Sequence, residues 1–184
     1  MLKLETRWTA SNILSLSRIV LLIPIVVLIL KPGSEYRIAV LALMIAAAAT
    51  DFLDGFLARI MNQVTDFGRL LDPAADKICI ITISAVLVVV GDVPLWYAAL
   101  VAARDILIVA GSSYIIARRK VVVQSVWAGK WTVTFIAAYI ILATMRVEAL
   151  EAAKSFFLYL STASIFLSLG VYANIYRKYM VRNV

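Results

Sequence analysis

The chain has 184 residues, 64% of them hydrophobic, and a mean hydropathy of +0.96, which excludes an ordinary soluble domain and implies one embedded in lipid. Eighteen Lys and Arg against eleven Asp and Glu give +7, a balance that suits anionic headgroups. No soluble basic module carries that charge, so a nucleic-acid partner is excluded. One cysteine and no histidine exclude an internal disulfide and a Cys/His zinc site, and leave carboxylate, Lys or Tyr as proton acceptors.

Residues 1–10 set Leu2, Leu4 and Trp8 among Lys3, Glu5 and Arg7, the pattern of a short amphipathic segment lying in the membrane interface. The next apolar run, Ser11 to Leu30, reaches spanning length, so it reads as a first span and not as a cleavable leader. Lys31-Pro32-Gly33 breaks it. Asn12, Ser15 and Arg18 recur every third residue on one side of that helix, either as an ordinary polar end or as one wall of a pocket. A second span begins near Glu35, continues through Ala46–Ala49 into Asp51, and extends past Arg59 beyond the hydrocarbon. Its small residues permit close helix packing.

The polar stretch from Asn62 to Asp66 turns the chain. Asp72-Pro73 predicts a helix start, with Asp as cap and Pro at the first helical position. The third span then covers Ala74 to Val90 and ends at Gly91-Asp92, with Cys79 read as packing. Pro94 opens a fourth span, to about Ala117, closed by Arg118-Arg119-Lys120; Arg104 and Asp105 stand near its middle, as a functional site or a structural ion pair. Residues 121–131 form a connection. A fifth span covers Thr132 to Thr144, with a start as early as Val126, and a sixth covers Phe156 to Tyr176. The expected fold is therefore all-α: one domain over residues 1–184, an integral membrane bundle of six transmembrane helices with a short N-terminal interfacial helix. Basic clusters at 118–120 and 177–182, with Lys3, Arg7 and Arg59, fall on the side of both termini. Only Lys31, Arg37, Arg146 and Lys154 fall on the other. Both termini are expected in the cytoplasm of a cell-membrane protein.

The stretch Asp51 to Lys77 carries the chemistry. Asp51 and Asp54 are three apart and Asp72 and Asp76 four apart, so each pair shares a helix face. Four converging carboxylates beside hydrocarbon repel one another unless cations sit between them, and hard oxygen ligands suit Mg²⁺ or Mn²⁺. Gly55 and Ala58 leave room beside such ions, and the natural guest is a phosphate or diphosphate.

The pattern Asp-x-x-Asp-Gly-x-x-Ala-Arg, then eight residues, then Gly-x-x-x-Asp-x-x-x-Asp resembles the signature of the CDP-alcohol phosphotransferases. Asp51, Asp54, Gly55, Ala58, Arg59, Gly68, Asp72 and Asp76 fill it without departure. The resemblance implies an enzyme that uses a CDP-linked lipid or alcohol and releases CMP. It implies two divalent ions held by Asp51, Asp54, Asp72 and Asp76, with Asp76 also taking the acceptor's proton. By the same resemblance Gly55 makes space for the nucleotide, Arg59 contacts the diphosphate, and Thr65, Asn12 and Ser15 line the cytidine pocket. A homodimer is implied too.

The stretch AARDILIVAGSS, then Ser125 and Gly129-Lys130, resembles the branch of phosphatidylglycerophosphate synthases and CDP-dependent cardiolipin synthases. There Arg104 and Lys130 receive an acceptor phosphate, and the expected substrates are CDP-diacylglycerol and glycerol 3-phosphate. Phosphatidylglycerol and inositol phosphate are the alternative acceptors. Neighbours on a helix diverge by about 100°, so Asp105 is expected to pair poorly with Arg104 and to leave its charge for that phosphate. Membrane carboxylates also build cation transporters, but a cluster at one face without a repeat argues against that.

Overall fold

The computed structural model describes the backbone of residues 10–31, 33, 35–60, 66–119 and 126–181, and the side chains of 17, 19–31, 33, 35–50, 78–118 and 126–180. Among these residues every regular element is helical. The elements are α1 (Ala10–Leu30), α2 (Glu35–Ile60), α3 (Asp66–Val89), α4 (Leu95–Arg119), α5 (Trp127–Met145), a single 3-10 turn (Glu148–Leu150) and α6 (Glu151–Val181). Three stretches are long and apolar enough to cross a membrane: Leu95–Arg118, Trp127–Met145 and Glu148–Met180. Shorter apolar stretches, Ile19–Leu30 and Ile78–Val89, lie within α1 and α3. By length and composition, three helices among the described residues qualify as spans, fewer than the six expected. The expected interfacial segment before Ala10 and the turn before Asp66 lie outside the described residues.

Two expectations are corrected. Helix α3 starts at Asp66, so Asp72 is not a cap and Pro73 sits inside the helix; Pro24 likewise lies inside α1. A proline removes one backbone hydrogen bond, a loss that a helix continuing on both sides of it absorbs. Helix α6 begins before Phe156 and continues past Tyr176 to Val181, because its ends are polar but helix-compatible.

The distribution of side chains is that of a protein whose solvent is hydrocarbon. Large aliphatic residues such as Ile38, Val89, Ile106 and Leu167 face outward, while Thr132, Thr144, Ser161 and Ser168 are fully buried. In lipid the apolar surface needs no hiding, and hydroxyls gain from partners inside the bundle.

The chain divides into two compact units, Met1–Asp92 and Val93–Val184. In the first, α1 packs against α2 and α3, with Leu22, Ile25 and Ile29 of α1 and Val40 and Leu87 beyond it in the core. Their spacing of three and four puts the α1 residues on one stripe. Helix α3 ends in a Schellman turn: the Gly91 N–H donates to Val88 O and the Asp92 N–H to Leu87 O, with Gly91 at φ +80°. That turn sets the Asp92 carboxylate 2.9 Å from Arg37 Nη1, both side chains being buried.

In the second unit, three side-chain-to-side-chain hydrogen bonds among the described residues join α4 to α6: Tyr97 donates to Ser161 Oγ, Arg104 to Ser168 Oγ, and the Ser112 and Tyr176 hydroxyls share a bond. Each pair is 64 residues apart in sequence. A constant offset means the two helices run parallel and in register. Helix α5 runs the other way, since Tyr97 packs on Tyr139 while Arg104, further along α4, meets Gly129, earlier along α5. The unit is an up-down-up bundle sealed by hydroxyls.

Candidate functional site

The motif falls on two helices. Asp51, Asp54, Gly55 and Arg59 belong to the end of α2, and Asp72 and Asp76 to α3. The helical backbone therefore keeps each carboxylate pair on one face, as the spacing of three and four requires. Their side chains, like those of Asn12 and Ser15 on α1, lie outside the described residues, as does Thr65 altogether. Among the described residues there is no other cluster of three or more acidic, His or Cys side chains able to hold a metal. The chemistry of the four-carboxylate donor set, all hard oxygens, fits Mg²⁺ or Mn²⁺.

The acceptor-side candidates are described in full. Arg104 is buried at 7% exposure among three helices. Its Nη1 donates to Asp105 Oδ1 at 2.6 Å, and its Nη2 to Ser168 Oγ at 3.3 Å and to the Gly129 carbonyl at 3.5 Å; among the described residues Nε has no hydrogen-bond partner. The expectation that Asp105 pairs poorly with Arg104 is thus wrong. An arginine side chain is long enough to bend back across the angle that separates adjacent helix positions. Arg104 stands near the middle of its own helix, as its sequence position suggests. Helix α4 continues about four turns past it, roughly 22 Å at 1.5 Å per residue. It is nevertheless level with the first turn of α5, through Gly129.

Lys130, the next residue, is exposed, with Nζ 5.3 Å from the centre of the Trp127 ring. Its backbone follows the carbonyl that Arg104 bonds, while its side chain is exposed over the Trp127 ring. Tyr172 completes this corner. Its hydroxyl accepts from the Val126 N–H at 3.5 Å, and a Cβ at position 129 would lie 3.1 Å from that hydroxyl and 3.5 Å from Arg104 Nη2. Glycine at 129 gives both side chains the room they use.

Ser168 and Tyr172 were missed as participants because α6 shows only a hydrophobic pattern over most of its length. The signal was present in its hydroxyls. Ser161, Ser168 and Tyr172 recur at seven and four residues, one helix stripe.

Comparison with known proteins agrees with the motif. The chain belongs to the CDP-alcohol phosphatidyltransferase family, whose profile matches residues 8–172. A Mycobacterium tuberculosis protein named "Probable phosphatidylglycerophosphate synthase" is 35% identical over 124 residues, 65% of this chain and 58% of that one. A Pseudomonas fluorescens protein named CDP-diacylglycerol–glycerol-3-phosphate 3-phosphatidyltransferase is 41% identical over 103 residues, covering 54% and 52%. A rat protein named cardiolipin synthase (CMP-forming) is 40% identical over 114 residues, covering 60% and 36%. The chain thus spans little more than half the length of the two bacterial relatives and about a third of the rat one.

Proposed function

We propose that this protein transfers the phosphatidyl group of CDP-diacylglycerol to the hydroxyl of a phosphate-bearing alcohol, glycerol 3-phosphate, giving phosphatidylglycerophosphate and CMP. The observation that carries the reading is the complete eight-position motif on two helices of a chain belonging to this family. The names of the two bacterial relatives support the acceptor. Asp51, Asp54, Asp72 and Asp76 would hold two divalent ions, Mg²⁺ or Mn²⁺, which would supply charge to offset the diphosphate and polarise the phosphorus under attack.

The chain's own part is positioning and proton handling. Arg59 forks onto diphosphate oxygens, Gly55 leaves the nucleotide its space, and Asn12, Ser15 and Thr65 contact the cytidine. Asp76 takes the proton of the acceptor hydroxyl as its oxygen bonds to the phosphatidyl phosphorus. The bond from that phosphorus to the CMP oxygen breaks, and CMP departs. Arg104 and Lys130 serve the acceptor phosphate. The whole chain acts as one domain with six spans, both termini and the site on the cytoplasmic face, and works as a homodimer.

The pairing of Arg104 with Asp105 favours a second reading. A cation already offset by a carboxylate has no need of a phosphomonoester, so the phosphodiester of phosphatidylglycerol would also serve, which makes the reaction cardiolipin synthesis. The rat relative's name points the same way. The test is CMP release from CDP-diacylglycerol by purified protein in nanodiscs, with one acceptor at a time. Activity is expected with glycerol 3-phosphate, to vanish with a chelator, to return with Mg²⁺ or Mn²⁺, and to fall at least about a thousandfold in Asp51→Ala, Asp54→Ala and Asp72→Ala. Turnover with phosphatidylglycerol alone would select the second reading. Metal-independent activity would sink both.

A further inference from the structure

Arg104 presents an unusual balance of donors. Both terminal nitrogens are engaged, Nη1 by Asp105 Oδ1 at 2.6 Å and Nη2 by Ser168 Oγ at 3.3 Å and the Gly129 carbonyl at 3.5 Å. Nε is buried and has no hydrogen-bond partner among the described residues. A buried N–H of a charged group left without an acceptor is costly, and native proteins rarely leave one unless something else completes it. Ser168 is itself fully buried, at 0% exposure, on the helix that also buries Ser161. Its contact with Arg104 is the middle rung of the series that joins α4 to α6 at an offset of 64.

We infer that Ser168 and Asp105 are positioning residues for the acceptor. They clamp the guanidinium by its ends, so that Nε–H is the donor left for an oxygen of the acceptor's phosphate. The inference rests on the reading of Arg104 as an acceptor contact and adds the residues that fix its geometry. Ser168 supplies an acceptor oxygen at a fixed height on α6. Asp105 tempers the charge, so the site is not a bare cation in a low-dielectric bundle. Neither residue touches the reacting atoms. Both act through the angle at which one N–H is presented, and a loosened contact of this kind weakens binding before it slows chemistry.

The experiment uses the full chain in nanodiscs with CDP-diacylglycerol, with glycerol 3-phosphate and phosphatidylglycerol as separate acceptors. Loss of one hydrogen bond to a charged group predicts a rise of about tenfold in the acceptor KM for Ser168→Ala. kcat and the donor KM are expected within about twofold of the parent. Asp105→Asn should behave alike, and Asp105→Glu should recover most of the loss, since that side chain is one-third exposed and has room to adjust. In an Arg104→Lys background, which keeps the charge and removes Nε, Ser168→Ala should add nothing, because the two then share one interaction. The stabilising shift in Tm that the acceptor gives the parent should shrink in the same variants, without turnover. Proportional losses toward donor and acceptor, tracking a lowered Tm of the unliganded protein, would overturn the inference and leave Ser168 as bundle packing. An unchanged acceptor KM in Arg104→Lys would instead remove the acceptor reading itself. A raised KM there with Ser168→Ala unchanged would remove the positioning role alone.

Discussion

Gly111 shows how one small residue sets a contact. A Cβ built there would fall within the ring of Tyr176, whose hydroxyl donates to the Ile108 carbonyl and shares a bond with Ser112. The ring lies against bare backbone, so nothing else could make space. Gly111→Ala should cost about 1–3 kcal/mol through overpacking, read as a lowered Tm in detergent. In a Tyr176→Ala background the same substitution should be nearly neutral. An equal cost in both backgrounds would mean that the glycine serves backbone freedom instead. At this scale the sequence was legible for the aspartate motif, whose eight positions need no tertiary knowledge. It was silent on Gly111, Ser168 and Tyr172, because a hydroxyl or a missing side chain acquires meaning only once its neighbour across the bundle is known. Arg104 lay between: its burial was readable from the span around it, its pairing with Asp105 was not, since side-chain reach decides that.

At the scale of elements, six helices could be read in order from apolar runs and breakers. The error at Asp72-Pro73 came from reading a local cap signal as a boundary where the helix runs on unbroken from Asp66. The join between α2 and α3 was not readable at all. Arg37 follows the start of α2 closely, Asp92 follows the end of α3, and 55 residues of sequence hide that they meet at 2.9 Å. Their pair is buried, so breaking it should be worse than removing it. Arg37→Met should lose about 3–5 kcal/mol by taking the cation from a buried carboxylate, and Arg37→Met with Asp92→Leu should recover most of that. Thermal unfolding of the single and double variants checks this. A double variant less stable than Arg37→Met would show that the charges contribute more than their desolvation costs.

For the whole molecule, membrane residence is written in composition and in the outward aliphatic, inward hydroxyl arrangement of the side chains. Orientation is a prediction from basic residues at the helix ends. With Cys79→Ser as background, a cysteine at the exposed Glu148, before α6, should react with an impermeant thiol reagent from outside the cell. One at Lys178, near the end of α6, should react only after the membrane is opened. Labelling of both from one side would mean that α6 does not cross.

The unequal lengths of the helices bear on how this protein meets its bilayer. Helix α5, with 19 residues, is about 28 Å long and nearly matches a hydrocarbon core of about 30 Å, whereas α6, with 31, is about 46 Å. The rungs at a constant offset bind α4 to α6, so tilt in one is tilt in both. A thicker bilayer can swallow the surplus of α4 and α6 without effort. It has no surplus to take from α5, whose first turn carries Trp127, Lys130 and the carbonyl bonded to Arg104. Hydrophobic mismatch therefore concentrates on that turn, and the acyl-chain length of the surrounding lipid becomes a mechanical input to the corner where Arg104 is held.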